Sequence, residues 1–226
     1  MSANRRKHPD TDEVATSRIN RRALRDDTRE QRREQLLQAA IDEIRASGPG
    51  ATMEQLAKSG GVTKPILYRH FGDRDGLIAT IAERFSADLL QSVEAPLLSN
   101  SYPRQLLDDT IDSYVTFLER DPHVYGFLIQ QPSTRSEHHT PIGSLVDVVA
   151  KRIAQVAGEQ LRATGQDTGA AVPWAYGIVG LVHTATNWWL RDQTMTRERF
   201  VQYLTDLLWQ GLSNAAAPVG TAADSP

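Results

Sequence analysis

The sequence predicts an all-α protein, with an N-terminal head of three helices and a C-terminal helical bundle. Apolar residues recur at three- and four-residue spacing in segment after segment, and no segment shows the alternation of a β-strand. Capping residues precede several of these segments, and glycine or proline follows them. The 226 residues are enough for one large domain or two modest ones.

The composition excludes several classes of protein. The chain has no cysteine, so disulfides, zinc fingers and thiolate nucleophiles are excluded. The polar N-terminus has no apolar segment of the kind that a signal peptide needs, and we expect a cytoplasmic protein. Residues 1–76 carry 15 Lys and Arg against 12 Asp and Glu, whereas residues 77–226 carry 10 against 16. The basic part is therefore suited to an anionic partner.

The first elements are an arm and a helix. Residues 1–27 mix arginines with polar residues and show no apolar period, so we expect a disordered basic arm. The arm either adds phosphate or minor-groove contacts or is a solvated leader that binds nothing. Thr28 and Gln31 form a capping box, and the helix that starts there keeps one apolar face up to residues 48–50, which are Gly-Pro-Gly.

Residues 52–77 encode two short helices, a tight turn and the start of a third helix. Thr52 and Gln55 form a second capping box, so a helix starts there. Gly60 and Gly61 supply the left-handed conformation that ends it. This helix and the turn after it are the first half of a unit that the next short helix completes.

The second short helix is barely two turns long. Thr63 caps it, Pro65 lies in its first turn, where a missing N–H costs nothing, and it ends near Gly72. Asp73 caps the third helix, which continues to about Gln91. A helix, a four-residue turn and a second short helix form a helix-turn-helix unit, whose second helix enters the DNA major groove.

Two cations stand where an isolated helix disfavours them. Lys64 and Arg74 lie in the first turns of their helices, at the positive end of the helix dipole, so we expect a phosphate backbone opposite them. At the exposed start of the second helix, Lys64 is suited to guanine and Pro65 to a thymine methyl group. The alternative is that these are ordinary surface residues. The predicted DNA-binding residues are Thr52, Thr63, Lys64, Pro65, Tyr68, His70 and Arg74.

Five further helices follow the third one. The apolar spacing and the capping residues place them at residues 103–120, 121–130, 141–165, 172–190 and 196–212. The segment 131–140 is predicted to be a loop. The helix at 172–190 is nearly apolar enough for a membrane span, but it lacks flanking basic clusters, and we expect it to be buried on almost every side. The last helix has an apolar side made of Phe200, Val201, Leu204, Leu207, Leu208 and Leu212.

A specific signature is formed by Thr52, Leu56, Ala57, the Gly60-Gly61-Val62-Thr63 turn, Leu67-Tyr68, His70-Phe71 and the run from Asp73 to Leu77. On these residues, the segment from Thr28 to Phe85 resembles the DNA-binding head of TetR-type (TetR/AcrR) transcriptional regulators. Arg74 stands where that family more often has Lys, and both cations satisfy a phosphate. The remainder of the chain agrees with the family only in its length and its helical segments.

The resemblance implies a homodimer that binds a palindromic operator on double-stranded DNA, usually as a repressor, and is released when a small molecule enters the C-terminal half. It implies phosphate contacts for Tyr68, His70 and Arg74. The apolar helices near 172–190 and 196–212 supply a surface for a four-helix dimer interface. The expected organisation is a basic arm (1–27), a helix-turn-helix domain (28–76), a ligand-binding and dimerisation domain (77–213) and a disordered tail (214–226).

Aromatic residues in the C-terminal half favour a ligand pocket, since such sites are apolar with a few polar groups. Core packing explains any single aromatic residue better. The predicted ligand-binding residues are Tyr114, Phe117, Phe127, Trp174, Asn187 and Trp188. His183 and Asn187 lie one helical turn apart, and they either orient a ligand's polar end or hydrogen-bond each other and a partner helix. We expect a small apolar ligand, such as an acyl chain.

No catalytic constellation stands out in the sequence. It has no Ser-His-Asp arrangement, phosphate-binding glycine loop or paired-carboxylate spacing, so we expect no enzymatic activity, cofactor or metal. His138 and His139 follow Glu137 in a loop, but adjacent histidines rarely converge on one ion. The alternative to a regulator is a helical carrier of lipids or other hydrophobic molecules with no role in gene regulation. Loss of salt-dependent DNA affinity on replacing Lys64 and Arg74 distinguishes the two.

Overall fold

The structure, a computed structural model, describes residues 11–99, 102–131 and 141–215. Every regular element in these ranges is helical, as the sequence predicts. The helices are α1 (Thr11–Ser47), α2 (Met53–Ser59), α3 (Lys64–Phe71), α4 (Arg74–Leu97), α5 (Pro103–Arg120), α6 (Pro122–Ile129), α7 (Pro141–Ala163), α8 (Ala171–Asp192) and α9 (Arg197–Ala215). A single 3₁₀ turn, Thr168–Ala170, precedes α8.

The C-terminal half of α1 forms a three-helix head with α2 and α3. Helices of seven and eight residues are marginal in water on their own, so packing on α1 holds them in place. Leu36, Ala40 and Ile44 of α1 are fully buried in the resulting core. Leu56 of α2 and Leu67 of α3 are buried in the same cluster. The position of the second short helix is thus fixed by apolar contacts on its inner side.

Helix α1 begins earlier than the sequence predicts. Thr28 lies inside the helix, so its predicted role as a capping residue is wrong, and residues 11–27 are helical rather than part of an irregular arm. The segment from residue 11 to residue 47 has no glycine or proline, so the helix propagates through its polar first half. Residues 1–10 of the predicted arm lie outside the described residues.

Helix α4 joins the head to the helical body. It starts at the head, where Leu77 and Ile78 are buried, and Leu89 and Val93 are buried further along the helix. It continues to Leu97, beyond the end predicted near residue 91. In the body, α4 packs on α5 and α7, α7 packs along α8, and α5 packs along α9. The bounds of α5, α6 and α7 agree closely with the predicted helices.

The helix predicted at 172–190 is present as α8, but it is not buried on almost every side. Within the described chain it packs mainly against α7. Val172, Tyr176 and Trp188, spaced by multiples of four residues along α8, are 56%, 38% and 40% exposed. Leu207, on the predicted apolar side of α9, is 60% exposed, and the side chain of Leu212 lies outside the described residues. A single chain therefore leaves an apolar face on α8 and α9.

Two further boundaries need comment. Helix α9 extends to Ala215, into the segment predicted as a tail, and residues 216–226 are outside the described part. Residues 132–140 of the predicted loop are also outside it. Among the described helices, none combines the length and the hydropathy that crossing a membrane requires.

Replacing Leu67 by Ala should destabilise the protein by about 2–5 kcal/mol, because Leu67 is completely buried and its truncation leaves a cavity in the head. The matched control is Ile66→Ala, one residue earlier in α3 and 36% exposed, which should cost about 1 kcal/mol or less. Urea unfolding followed by circular dichroism measures both. An equal loss of unfolding free energy in the two variants would contradict an α3 that buries Leu67 and exposes Ile66.

Candidate DNA-binding surface and ligand cavity

The turn between α2 and α3 is built by capping and by glycine. The Thr52 backbone N–H donates to Gln55 Oε1 at 2.8 Å and the Gln55 N–H donates to Thr52 Oγ1 at 3.4 Å, which confirms the predicted capping box. Gly61 has a φ of +68°, as predicted, but Gly60 does not, with a φ of −77°. Gly60 serves a different purpose: a Cβ there would lie 2.6 Å from Leu36 Cδ2. Two glycines therefore let the turn reverse tightly against α1.

Helix α3 presents its first turn on the surface of the head. Thr63 occupies the N-cap position, where its carbonyl accepts from the Ile66 and Leu67 N–H groups at 2.9 and 3.0 Å. Thr63 and Pro65 are exposed, as contact with base edges requires. Tyr68 is half-buried and packs against the core, so only part of its ring is accessible. The base contacts of this turn remain predictions.

Lys64 is held by a carboxylate of the preceding helix. Its Nζ lies 2.6 Å from Glu54 Oε1 of α2, and this hydrogen bond raises the pKa of Lys64 and lowers the pKa of Glu54. Both side chains are largely exposed, so the pair contributes little to stability. Lys64 is therefore charged and close to its predicted site of action, but it must leave Glu54 before it contacts DNA.

Arg74 joins two parts of the molecule. One guanidinium nitrogen donates to Gln131 Oε1 just beyond α6, and another lies 3.7 Å from Asp75 Oδ1. Asp73 caps α4 as predicted, by accepting from the Gly76 N–H at 2.7 Å. Arg74 thus connects the start of α4 to the body, and its phosphate contact remains a prediction.

A cluster of arginines surrounds His70. His70 is half-buried, and its Nδ1 is buried without a hydrogen-bond partner among the described residues. Burial lowers the pKa of His70, and the nearby Arg29, Arg32 and Arg69 lower it further. Arg32 also donates to the Gly60 carbonyl at 3.1 Å, which ties α1 to the turn. Sequence reasoning missed these arginines, although the spacing of Arg29, Arg32 and Arg33 on one helix was a usable signal.

We call Arg29, Arg32, Lys64 and Arg69 the basic face of the head. It combines α1 and α3, and it lies beside the exposed first turn of α3. Cations on this side of the head are suited to the phosphates of a duplex, and a short helix such as α3 is suited to the groove. The surface therefore has the two parts that duplex recognition requires: positioning charges and a protruding helix.

A half-open cavity of about 680 Å³ lies between α4, α5, α7 and α8 of the body, with Trp209 of α9 at its wall. No charged side chain is among the described residues that line it. Its walls are mainly Leu, Ile and Val, and the lining residues that carry polar side-chain atoms are Ser99, Thr110, Tyr114, Gln160, Trp174 and Trp209. Such a cavity suits an uncharged, mainly apolar molecule.

Two of the six predicted ligand-binding residues, Tyr114 and Trp174, line this cavity. The other four do not. Phe117 packs against Phe85, with ring centroids 4.9 Å apart, and Phe127 is buried in the core. Trp188 belongs to the exposed stripe of α8, and Asn187 is occupied by hydrogen bonds. The aromatic character of a residue could not show whether it lines the cavity, packs in the core or lies on the outer surface.

Four side chains beside the cavity form a continuous hydrogen-bonded relay. The Tyr125 hydroxyl donates to Asn187 Oδ1, Asn187 Nδ2 lies 3.0 Å from His183 Nε2, and His183 Nδ1 lies 2.8 Å from Tyr114 Oη. Burial lowers the pKa of His183 and raises the pKa of Tyr125 to about 12, so both groups are neutral. His183 and Asn187 therefore bond to each other, and the chain of bonds ends at a cavity wall.

The fold and these two sites define a class: a helix-turn-helix DNA-binding protein with an apolar cavity in a helical body. The family model for bacterial regulatory proteins of the tetR family matches residues 36–81, and the tetracyclin repressor-like C-terminal domain matches residues 89–223. The chain belongs to the TetR family and is a ligand-responsive, DNA-binding transcriptional regulator. The comparisons give no support to a carrier without a role in gene regulation.

Relatives and solved structures agree with this assignment. An HTH-type transcriptional regulator of Mycobacterium tuberculosis is 31% identical over 183 residues, 80% of this chain and 77% of that protein. The HTH-type transcriptional activator FasR of Mycolicibacterium smegmatis is 27% identical over 193 residues, 82% and 85% of the two chains.

Similar folds occur in a tetR-family regulator from Streptomyces coelicolor (TM-score 0.64, 20% identity, 83% of each chain) and in FadR from Bacillus subtilis in complex with stearoyl-CoA (TM-score 0.59, 17% identity, 79% and 98%).

Replacing Arg69 by Ala should weaken binding to any duplex and reduce the slope of log K against log salt by about one, because one phosphate contact is lost. The control is Lys151→Ala on α7, which removes the same charge from an exposed position in the body. Fluorescence anisotropy with a labelled duplex at several salt concentrations measures the slope. An unchanged slope for Arg69→Ala would remove it from the basic face.

Replacing Glu54 by Gln should tighten DNA binding by about two- to fivefold at low salt, because Lys64 loses its competing carboxylate. Lys64→Ala should weaken binding. Glu159→Gln in α7 makes the same charge change in the body and should leave the affinity as it is. If Glu54→Gln binds DNA more weakly than the parent protein, the pair does not restrain Lys64 in the manner described.

Proposed function

We propose that the protein is a homodimeric repressor that binds a palindromic operator and is released when a small apolar molecule occupies the cavity. The observation that carries the proposal is the cavity itself, a space of about 680 Å³ without a charged side chain among its described lining residues. Helix α4 lines it through Val93 and Leu97 and begins at the head, so one helix spans both sites.

The apolar face on α8 and α9 supports the dimer. Its α8 stripe consists of Val172, Tyr176, Gly180, Thr184 and Trp188, spaced by four residues. On α9, the exposed Tyr203 and Leu207 continue it at the same spacing. A second copy that packs its own α8 and α9 on this face buries the stripe in a four-helix interface.

A dimer also supplies the DNA contacts that one head lacks. Helix α3 has eight residues, and its Leu67 and Phe71 are buried, so a single copy contacts few bases. Twofold symmetry pairs two such helices on successive major grooves, which selects a palindromic site. Added contacts then give the specificity that a single head cannot reach.

The hydrogen bonds between head and body support a route by which a ligand in the body releases the head from DNA. Arg45 in α1 pairs with Asp121 just before α6, with Nε 2.8 Å from Oδ2, and His123 Nδ1 lies 2.7 Å from the Arg45 carbonyl. Arg74 at the start of α4 bonds to Gln131. A ligand that shifts α4 changes the separation of the two α3 helices, which must match the groove spacing for tight binding.

An acyl chain is the ligand class that we favour. The cavity walls are aliphatic and aromatic, and a solved structure of the same fold, FadR from Bacillus subtilis, holds stearoyl-CoA. The relative FasR bears the name of an activator, which makes activation the second candidate for the direction of the response. The proposal includes no catalytic role, and it places the protein in the cytoplasm, where the operator DNA lies.

An acyl compound that fills the cavity should lower the affinity for a duplex from the protein's own upstream region by tenfold or more, by favouring the state with wrongly spaced heads. Gel-shift titrations with and without acyl compounds test this. The variant Ile153→Trp narrows the cavity and should bind DNA but no longer respond, whereas Ile129→Trp, at an exposed position, should respond normally. Tighter DNA binding with the compound would favour an activator.

Replacing Leu207 by Glu should convert the dimer into monomers at micromolar concentration, because each subunit would bury a carboxylate in the interface. Gln91→Glu adds the same charge at an exposed site on α4 and should leave the dimer intact. Sedimentation velocity measures the mass. A dimer that survives Leu207→Glu unchanged would place the interface elsewhere.

A further inference from the structure

The relay beside the cavity has a direction that follows from its chemistry. Tyr125 donates to Asn187 Oδ1, so the amide nitrogen of Asn187 is the atom that faces His183. An amide nitrogen donates and does not accept, so His183 Nε2 is the acceptor and carries no hydrogen. A neutral imidazole then has its hydrogen on Nδ1.

The same logic fixes the role of Tyr114. His183 Nδ1 is 2.8 Å from Tyr114 Oη, so the imidazole donates and the phenol oxygen accepts. The hydroxyl hydrogen of Tyr114 is then left without an acceptor among the described groups of the relay. Tyr114 is a lining residue of the cavity, and its neighbours along α5, Thr110 and Ile111, line the cavity too. We place the missing acceptor of this hydrogen on a molecule inside the cavity.

The rest of the cavity limits what that molecule is. The Thr110 hydroxyl already donates to the Leu106 carbonyl at 2.7 Å. No lysine, arginine or histidine is among the described lining residues, so nothing there neutralises an anion. A buried carboxylate without a cation is costly, whereas a neutral carbonyl that accepts one hydrogen bond is not.

We infer that Tyr114 is the polar anchor of the cavity, and that the effector is a neutral, mainly apolar molecule with a hydrogen-bond acceptor, such as an ester, thioester or ketone, placed at Tyr114. Asn187 and His183 are positioning residues, which hold the Tyr114 hydroxyl as a donor without lining the cavity. This inference rests on the proposed function, because it specifies the ligand of the same cavity.

The first test concerns the histidine tautomer and needs no ligand. In full-length protein labelled with ¹⁵N-histidine, long-range ¹H–¹⁵N correlation near neutral pH should show His183 with a hydrogen on Nδ1 and none on Nε2. The His183→Gln variant identifies its signals by their loss. A ring with its hydrogen on Nε2, or with both nitrogens protonated, would overturn the relay.

The second test uses three probes that share a ten-carbon chain: methyl decanoate, decanoate and decane. Trp174 and Trp209 line the cavity, so quenching of tryptophan fluorescence reports binding. The parent protein should bind methyl decanoate about three- to tenfold more tightly than decane, and more tightly than decanoate. Tyr114→Phe should remove the preference for the ester and leave decane binding unchanged. Tyr102→Phe, which removes an exposed hydroxyl, should keep the preference.

The outcomes separate this inference from the function on which it rests. If Tyr114→Phe keeps the preference for the ester, or if decanoate binds as tightly as the ester, the cavity still takes a ligand but Tyr114 is not its anchor. If none of the three probes binds the parent protein, the cavity is not a site for apolar ligands, and the proposed function fails together with the inference.

Discussion

The packing of helix α3 on α1 is the constraint on which the rest of the molecule depends. An eight-residue helix is not stable in water, so the position of its exposed first turn is set by Leu67 and Phe71, which are buried against the head. Gly60 permits this packing because its missing side chain leaves room for Leu36. The basic face and the exposed first turn of α3 can contact the same duplex only when their relative position is fixed, and these contacts fix it.

The body adds a second constraint, since its cavity and the head share one helix. Helix α4 lines the cavity near its C-terminal end and contributes Leu77 and Ile78 to the core next to α3. The short α6 meets α1 through the Arg45–Asp121 pair. Packed helices therefore connect the cavity to the DNA-binding surface. Because close-packed helices shift as units, a change in cavity volume can move the head.

Most of the helices could be predicted from the sequence, because caps, prolines and apolar spacing are local signals. The Thr52 capping box and the Asp73 cap are examples, and both are present. The start of α1 was missed because absence of glycine and proline is a weaker signal than a capping box. Periodicity placed Leu207 on the apolar side of α9, but it could not show whether the same chain or a second copy covers that residue.

The sequence predicts the candidate DNA-binding residues and the residues that line the cavity to different extents. Lys64 was predicted to bind DNA from its helix position, and this stays a prediction, whereas its contact with Glu54, ten residues away, is visible only in three dimensions. Of the aromatic residues proposed for the ligand, Phe127 proved to be core and Trp174 a cavity wall. Both residues are aromatic, and only the packing of α5, α7 and α8 shows which one is core and which one lines the cavity.

The central claim is that occupation of the cavity and binding of operator DNA are coupled. Calorimetric titration of the tightest-binding acyl compound into the free dimer, and into the dimer saturated with operator, measures this coupling directly. We expect the compound to bind the DNA complex more weakly, by the same factor by which the compound weakens DNA binding. Equal affinity for the free dimer and for the complex would contradict it.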